Sequence, residues 1–297
     1  MDLQTFLQQF VNALSLGSLY ALIAIGYTMV YGILRLINFA HGDVFMIGGY
    51  LAFYGVSTFL MPWWLAVCLA IVVTTVFGVG LERVAYRPLR DSPRISIMIS
   101  AIGASFLIEN LAIVLFDARP KAFPVSNLFA GNHVIGGVHI AAVSLIIPVV
   151  TAVLLAVLLW IVHRTKTGMA MRAVSTDIDA ARLMAIDVNR IVSITFAIGS
   201  ALAAIGGILW ALKYPRLEPL MGIMPGLKCF IAAVVGGIGS IAGAVLGGLL
   251  LGLIELMTIA VLPELTGYKD AFAFVLLIMV LLVKPTGLLG KNQGEKV

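Results

Sequence analysis

The sequence predicts an all-α fold, a polytopic membrane bundle of about eight or nine spans, and three observations predict it. Only 11% of the 297 residues are Asp, Glu, Lys or Arg, against about 25% in soluble domains. Hydrophobic residues make up 61%, and mean hydropathy is +1.10. The apolar residues also gather into runs close to the roughly 20 needed to cross a hydrocarbon core. With 19 basic and 14 acidic side chains, the chain cannot clothe a soluble surface, close to half of which is polar. A soluble enzyme, a nucleic-acid binder, a disordered chain and a disulfide scaffold are thereby excluded.

The expected spans follow in order: Phe10 to Leu34, Val44 to Leu60, Leu65 to Leu81, Ile95 to Phe116, Ala142 to Val162 and Ile191 to Leu212. Next comes an uncharged run, Cys229 to Ile254, too long for one span. Gly236-Gly237-Ile238-Gly239-Ser240 splits it into a short helix and a full one from about Ile241 to Leu262. Ala271 to Val283 closes the set. Whether the piece before the glycines crosses or re-enters decides between eight and nine. No basic segment precedes the first run, so it is expected to be a mature span and not a cleaved signal. Cys68 and Cys229 both sit in apolar runs and are expected to be small core residues. Asp117 to Ile140, with Gly131, Gly136 and Gly137, is expected to be an ordinary loop. Residues 1–297 then form a single transmembrane domain.

Basic residues orient the bundle. Arg119, Lys121, Lys213, Arg216, Lys228 and Lys269 fall on one side. The other thirteen of the 19 fall in the loops Glu82 to Arg94 and His163 to Arg190, at Arg35, and in the tail with Lys284, Lys291 and Lys296. The positive-inside rule puts the second set, with the C-terminus, in the cytoplasm. Nine crossings then put the N-terminus outside.

Few polar groups interrupt the apolar background. Ile37-Asn38-Phe39-Ala40-His41-Gly42-Asp43 separates the first two spans. An ionisable group at membrane depth costs about 2.5–3.5 kcal/mol on insertion scales and is commonly paired or functional. Asn38, His41 and Asp43 are therefore candidates for a translocation path beside a broken helix. The plainer reading has Asn38 ending one helix and Asp43 capping the next at Val44. Glu109-Asn110 in the fourth span is a further path candidate, while Glu255 reads as an end-of-helix carboxylate near the outer interface. Gly239, Gly243 and Gly247, spaced by four and joined by Gly236 and Gly237, read as a small-residue packing seam. Gly199, Ala203 and Gly207 repeat the pattern. In the loop 163–190, Thr176-Asp177-Ile178-Asp179 resembles a helix start. Ile178, Ala181, Ala185 and Val188 then form an apolar stripe, which fits either a membrane surface or a partner protein. No metal-ligand spacing, nucleophile motif or Walker A loop is present. The chain is expected to be no enzyme and to hold no cofactor or metal.

Tyr20-Ala-Leu-Ile-Ala-Ile-Gly26-Tyr-Thr-Met-Val-Tyr-Gly32, followed by Ile37 to Asp43, resembles the N-terminal signature of LivH-type permeases. These are membrane subunits of ABC importers for branched-chain amino acids. The likeness continues through Glu82 to Arg90, Ile99 to Gly103, Gly168 to Ala173, Ala232 to Ser240 and Lys284 to Gly290, nearly the whole chain in order. The resemblance implies a multi-pass protein of a bacterial inner membrane that forms half of a translocation pore. Its partners would be a second homologous permease subunit, two ATP-binding subunits, a periplasmic substrate-binding protein and membrane lipid, with no nucleic acid. ATP would be used by the partner subunits. Gly168, Arg172, Ala173, Asp177, Ala181, Arg182, Ala185 and Ile186 would lie in the loop that couples to the ATPase. Ala185 stands where many members carry Gly, and a methyl there is expected to be tolerated on a helix. Glu109 replaces a commoner Gln. Leu, Ile and Val are the expected substrates, although similar permeases carry amides, urea or other amino acids. An ATP-independent secondary transporter would need coupling-ion carboxylates at mid-membrane, for which Glu109 is the one candidate.

Overall fold

A computed structural model describes residues 3–290 apart from 127, 128, 130 and 136. Gly136, Lys291 and Lys296 thus lie outside the described residues. The helices are α1 (Leu3–Leu34), α2 (His41–Ser57), α3 (Trp63–Leu81), α4 (Arg94–Phe116), α5 (Ala142–Arg164), α6 (Lys166–Thr176), α7 (Ile178–Leu183), α8 (Val188–Lys213), α9 (Ile223–Gly236), α10 (Ile241–Val261) and α11 (Lys269–Val283). A π-helical turn, Glu82–Tyr86, and a 3-10 turn, Arg87–Leu89, extend α3. Seven helices among the described residues are long and apolar enough to cross a membrane: α1, α3, α4, α5, α8, α10 and α11. The remaining apolar helices, α2 and α9, have 17 and 14 residues.

The segment expected to be a plain loop carries structure. Strand β1 (Lys121–Ala122) pairs antiparallel with β4 (Arg216–Leu217), and β2 (Asn132–Ile135) forms a hairpin with β3 (Val138–Ala141). Alternating residues around Gly136-Gly137 are the local signal for such a hairpin. At the same end, Lys121 Nζ donates to Tyr54 Oη at 2.9 Å. At the opposite end, the Leu288 and Leu289 amides donate to the carbonyls of Val235 and Gly236 at 2.9 and 2.8 Å. There Tyr86 Oη also donates to Asn38 Oδ1 at 2.7 Å, and Arg90 Nη1 to Asn189 Oδ1 at 2.7 Å. Both basic loops and the segment after α11 therefore share one end of the bundle.

The core is built around α1. Tyr20, Leu22, Ile23 and Ile25 are 1% exposed or less. Peripheral helices present large apolar side chains outward, among them Val76, Val114, Val149 and Val283, as a lipid-facing surface requires. Lipid supplies no hydrophobic drive between helices, so close van der Waals approach at small residues must hold them together. A Cβ on Gly17 would come within 2.9 Å of Leu249 Cα, and one on Gly48 within 2.6 Å of Ala204 Cα. Gly207 lies against the Phe45 carbonyl, Gly247 against that of Ala232, and Gly236 and Gly243 face each other. Gly239 is not on this seam, because it precedes Ser240, the N-cap of α10. Gly237 and Gly239 instead take φ of +109° and +92° in the turn between α9 and α10, a region that glycine enters without a Cβ penalty.

Two buried charge networks complete the packing. Lys228 of α9 is 5% exposed, not in an outer loop, and Glu255 of α10 is equally buried, not interfacial. Lys228 Nζ donates to Glu255 Oε1 at 2.8 Å and lies 2.6 Å from Asp270 Oδ1, while Tyr20 Oη donates to Glu255 Oε2 at 2.8 Å. Glu82, fully buried, accepts from Arg90 at 2.9 Å, Arg87 at 3.1 Å and Ser193 at 2.8 Å, which ties α3 to α8.

Removing one partner of a buried pair strands the other, at about 3–5 kcal/mol. Lys228→Met is expected to destabilise the protein on that scale, and Lys228→Met with Glu255→Leu to recover most of the loss, both read as thermal unfolding in detergent. A single-variant loss that the double variant does not reduce would contradict the pairing. Gly207→Ala is expected to lower the unfolding temperature by colliding with Phe45, whereas Gly103→Ala, with nothing within 4 Å of its Cβ, leaves it unchanged or raises it.

Candidate functional site

Two interrupted helices build the site. After α1 ends, Arg35 adopts φ +53° and residues 36–40 run without regular structure to α2. After β4, residues 218–222 do the same before α9. The two helix starts meet, since Gly226 and Gly222 pack directly on Gly42. Asp43 Oδ2 accepts a hydrogen bond from Ser105 Oγ at 2.5 Å, and Ser105 lies about halfway along α4. The junction is therefore near mid-membrane by the length of α4.

Beside it is a cleft of about 170 Å³ lined by Asp43, Ser105 and Glu109 among apolar and aromatic side chains, including Tyr27 and Phe230. Ser105 and Glu109 are one helical turn apart, on the same face of α4. Gly42, Gly222 and Gly226 also line it, so the backbone at two helix N-termini reaches the cleft. Such ends carry partial positive charge and free N–H groups. A mostly apolar cleft with Asp43 at the start of α2, Glu109 on α4 and the start of α9 opposite Gly42 suits a small zwitterion with an apolar tail.

The five path candidates separate. Asp43 and Glu109 line the cleft. Asn38 and His41 do not: both are buried behind it, Asn38 held by Tyr86 and His41 edge-on to Tyr27 at 4.6 Å between ring centroids. Asn110 is exposed and outside the cleft lining, its amide donating to the Phe106 carbonyl at 2.7 Å. The capping reading of Asp43 is also corrected. The helix starts at His41, Ala40 is the N-cap position without a side-chain bond, and Asp43 lies inside the first turn. Nor does Asn38 end α1, which stops at Leu34.

In the loop 163–190, Thr165 caps α6 by accepting from the Gly168 amide at 3.1 Å, and Gly168 is pressed against the carbonyls of Ile161 and Val162. Arg172 Nη1 donates to the Val162 carbonyl, so α6 is clamped to the end of α5. Ala173 is half-buried on α6. Asp177 caps α7, accepting from the amides of Asp179 and Ala180 at 3.0 Å, and Arg182 pairs with Asp179 at 3.5 Å. Ala181 is buried and Ile186 half-buried. Ala185 departs from the expected stripe. The helix ends at Leu183, and Ala185 is exposed with φ +58°, where a Cβ is strained by about 1–2 kcal/mol. Gly suits that position better, so its methyl is not simply one more on a helix. The exposed tip is apolar: Leu183 and Met184 are 88% and 78% exposed.

Sequence reasoning missed Ser105, Gly42, Gly222, Gly226, Lys228 and Glu82 as placed groups. Lys228 and Glu255 had a visible signal, as opposite charges immediately flanking the uncharged run 229–254. Ser105 carried none, because nothing local distinguishes it from other spans' hydroxyls.

Comparison with known proteins places the chain. Residues 9–281 match the family model described as branched-chain amino acid transport system, permease component. The high-affinity branched-chain amino acid transport system permease protein BraD of Pseudomonas aeruginosa is 46% identical over 100% of this chain and 99% of its own. LivH of Escherichia coli, of the same description, is 45% identical over 98% of both. Among solved structures, PsaBC from Streptococcus pneumoniae in complex with Fab shares the fold at a TM-score of 0.50 and 11% identity, covering 96% of this chain and 94% of that one. Apolar helices and full-length relatives agree, and the chain belongs to the permease family of branched-chain amino acid transport systems, as a multi-pass membrane protein.

Proposed function

We propose that the chain is the membrane-spanning permease subunit of an ATP-driven ABC importer for leucine, isoleucine and valine, and forms half of its translocation pore. The full-length family match carries this reading. A second homologous permease would supply the other half, two ATP-binding subunits would dock at the end bearing both basic loops, and a periplasmic binding protein would deliver substrate at the other. The C-terminus is then cytoplasmic, in a bacterial inner membrane. The chain itself binds no cofactor, and ATP is spent by the docked subunits.

Each feature acquires a task on this reading. Leu183 and Met184 form the knob seated in the ATPase, with α6 and Arg172 as its rigid base. Asp43 and Glu109 attract the substrate ammonium, the start of α9 at Gly222, which has no acid in its first turn, favours its carboxylate, and Tyr27 and Phe230 face its side chain. ATP binding and hydrolysis select between two packings of the bundle, which requires only that the partners bind one better than the other.

Reconstituted in vesicles with its partner subunits and binding protein, the permease is expected to take up leucine in preference to urea or short amides, and only with ATP. Uptake without ATP would sink the assignment. Asp43→Asn is expected to lower leucine uptake by about 10- to 100-fold, the value of one charge-assisted hydrogen bond, with unchanged protein yield. Leu183→Asp with Met184→Asp is expected to abolish co-purification of the ATPase subunits while leaving the unfolding temperature intact. Ala185→Gly relieves a left-handed Cβ and is expected to raise stability by about 1 kcal/mol without loss of coupling.

A further inference from the structure

A second pocket, of about 410 Å³, opens where α3 and its π-helical extension meet the start of α8. Its walls are two columns of residues at helical spacing. One runs Val79, Arg83, Arg87, and the other Ala197, Ile194, Arg190. Both are apolar toward the interior of the spans and end in arginine at the rim. Two acids stand at this junction, and Asp187 itself lines the pocket. Glu82 holds Arg87 and Arg90, and the Asp187 carboxylate accepts from the Arg190 amide at 3.1 Å as the cap of α8. Neither guanidinium of Arg83 or Arg190 has a partner among the described residues. The pocket therefore presents three arginines, Arg83, Arg87 and Arg190, against the single carboxylate of Asp187, below an apolar slot.

We propose that this pocket binds an anionic phospholipid of the adjoining leaflet, with Arg83 and Arg190 on the headgroup phosphate and an acyl chain along Val79, Ile194 and Ala197. Basic pockets between spans at the membrane surface take such headgroups, each arginine contributing about 1 kcal/mol at an anionic surface. A docking protein's acidic side chain would use the arginines but leave the apolar columns uncovered, which is why lipid fits better. Bound there, the lipid would wedge α3 against α8 beside the Glu82–Ser193 tie.

The full chain, purified in detergent with its co-purifying subunits, is titrated with phosphatidylglycerol, phosphatidylcholine and inorganic phosphate. Lipid retention is read by native mass spectrometry, and stability by thermal unfolding. Phosphatidylglycerol is expected to be retained and to raise the unfolding temperature, and the other two probes are not. Arg83→Gln with Arg190→Gln is expected to weaken phosphatidylglycerol retention roughly 10- to 30-fold, leaving the lipid-free unfolding temperature unchanged. Arg94→Gln, exposed in the same loop but outside the pocket, is expected to keep full retention. The proposal is overturned by equal retention of phosphatidylcholine, by an unaffected double variant, or by an equal loss with Arg94→Gln, which would mark nonspecific charge. Competition by inorganic phosphate at the same concentration would make it a free-anion site. Loss of ATPase co-purification with lipid retention intact would make it a protein-docking surface.

Discussion

Non-helical backbone cannot face lipid, because each unpaired N–H or C=O in hydrocarbon costs several kcal/mol. That constraint organises this protein, since the chain breaks two of its helices within the membrane. Both breaks are folded inward. Leu36, Asn38 and Ala40 of the first are buried, and Leu217 at the head of the second is fully enclosed. Local turns satisfy much of the backbone: the His41 amide donates to the Asn38 carbonyl, Asp43 to Ala40, Ile223 to Leu220 and Gly226 to Gly222. The helix starts then share one junction, which only glycines at 42, 222 and 226 allow to close. What remains open at that junction is the cleft. Asp43 stands in the first turn of α2, where the helix dipole favours negative charge, so the same break that threatens stability creates a polar site in an apolar bundle.

Charge is distributed according to the same cost. Lys228, Glu255 and Asp270, with Tyr20, form a closed set across α1, α9, α10 and α11, and Glu82 with Arg87, Arg90 and Ser193 closes another between α3 and α8. Such sets hold elements in register, and each member is expensive to remove alone. The short helix α9 depends on this more than its neighbours. It begins at the junction, has few turns of its own, and is fixed by Lys228 on one side and by the glycine contacts to α10 on the other. The cleft brings Asp43 and Glu109 together without a cation, and the arginine rim brings Arg83 and Arg190 together without an ion pair, and those are where ligands are assigned.

Most of the architecture was legible from run length and punctuation. Five of the six spans expected before residue 213 coincide with helices long enough to cross, while Val44 to Leu60 coincides with the shorter α2, and the glycine break near 237 falls where expected, because membrane spans obey a length rule that needs no tertiary information. The errors share one cause. Asp43 as a cap, Glu255 as interfacial and Lys228 as an outer-loop cation were each read from sequence neighbours, yet their partners, Ser105, Tyr20 and Asp270, are contributed by other helices. Ala185 failed differently. Its spacing fitted an apolar stripe, but α7 ends two residues earlier, and helical periodicity carries no information past a helix's end. Gly239 likewise kept the seam's spacing while serving a turn. Asp43 and Glu109 could be singled out as intramembrane carboxylates, but their common cleft arises only from the packing of α2 on α4.

The contacts leading from the exposed tip at Leu183 and Met184 to the cleft form one continuous series. Leu183 and Met184 cap a short α7 that Asp177 joins to α6, and α6 is fastened to α5 by Thr165, Gly168 and Arg172. From the knob the chain also passes directly into α8 through the Asp187 cap. Helix α8 is locked to α3 by Ser193 and Glu82 and lies on α2 where Gly207 meets Phe45, two residues from Asp43. No side chain of the knob touches the cleft, so a force applied there must arrive as a movement of whole helices. Tightly packed glycine contacts suit that transmission, since a rigid interface without long side chains shifts as a unit where a looser one would absorb the displacement. On the proposed reading, coupling would run through α8, and the broken helix α2 would convert its movement into a change at Asp43.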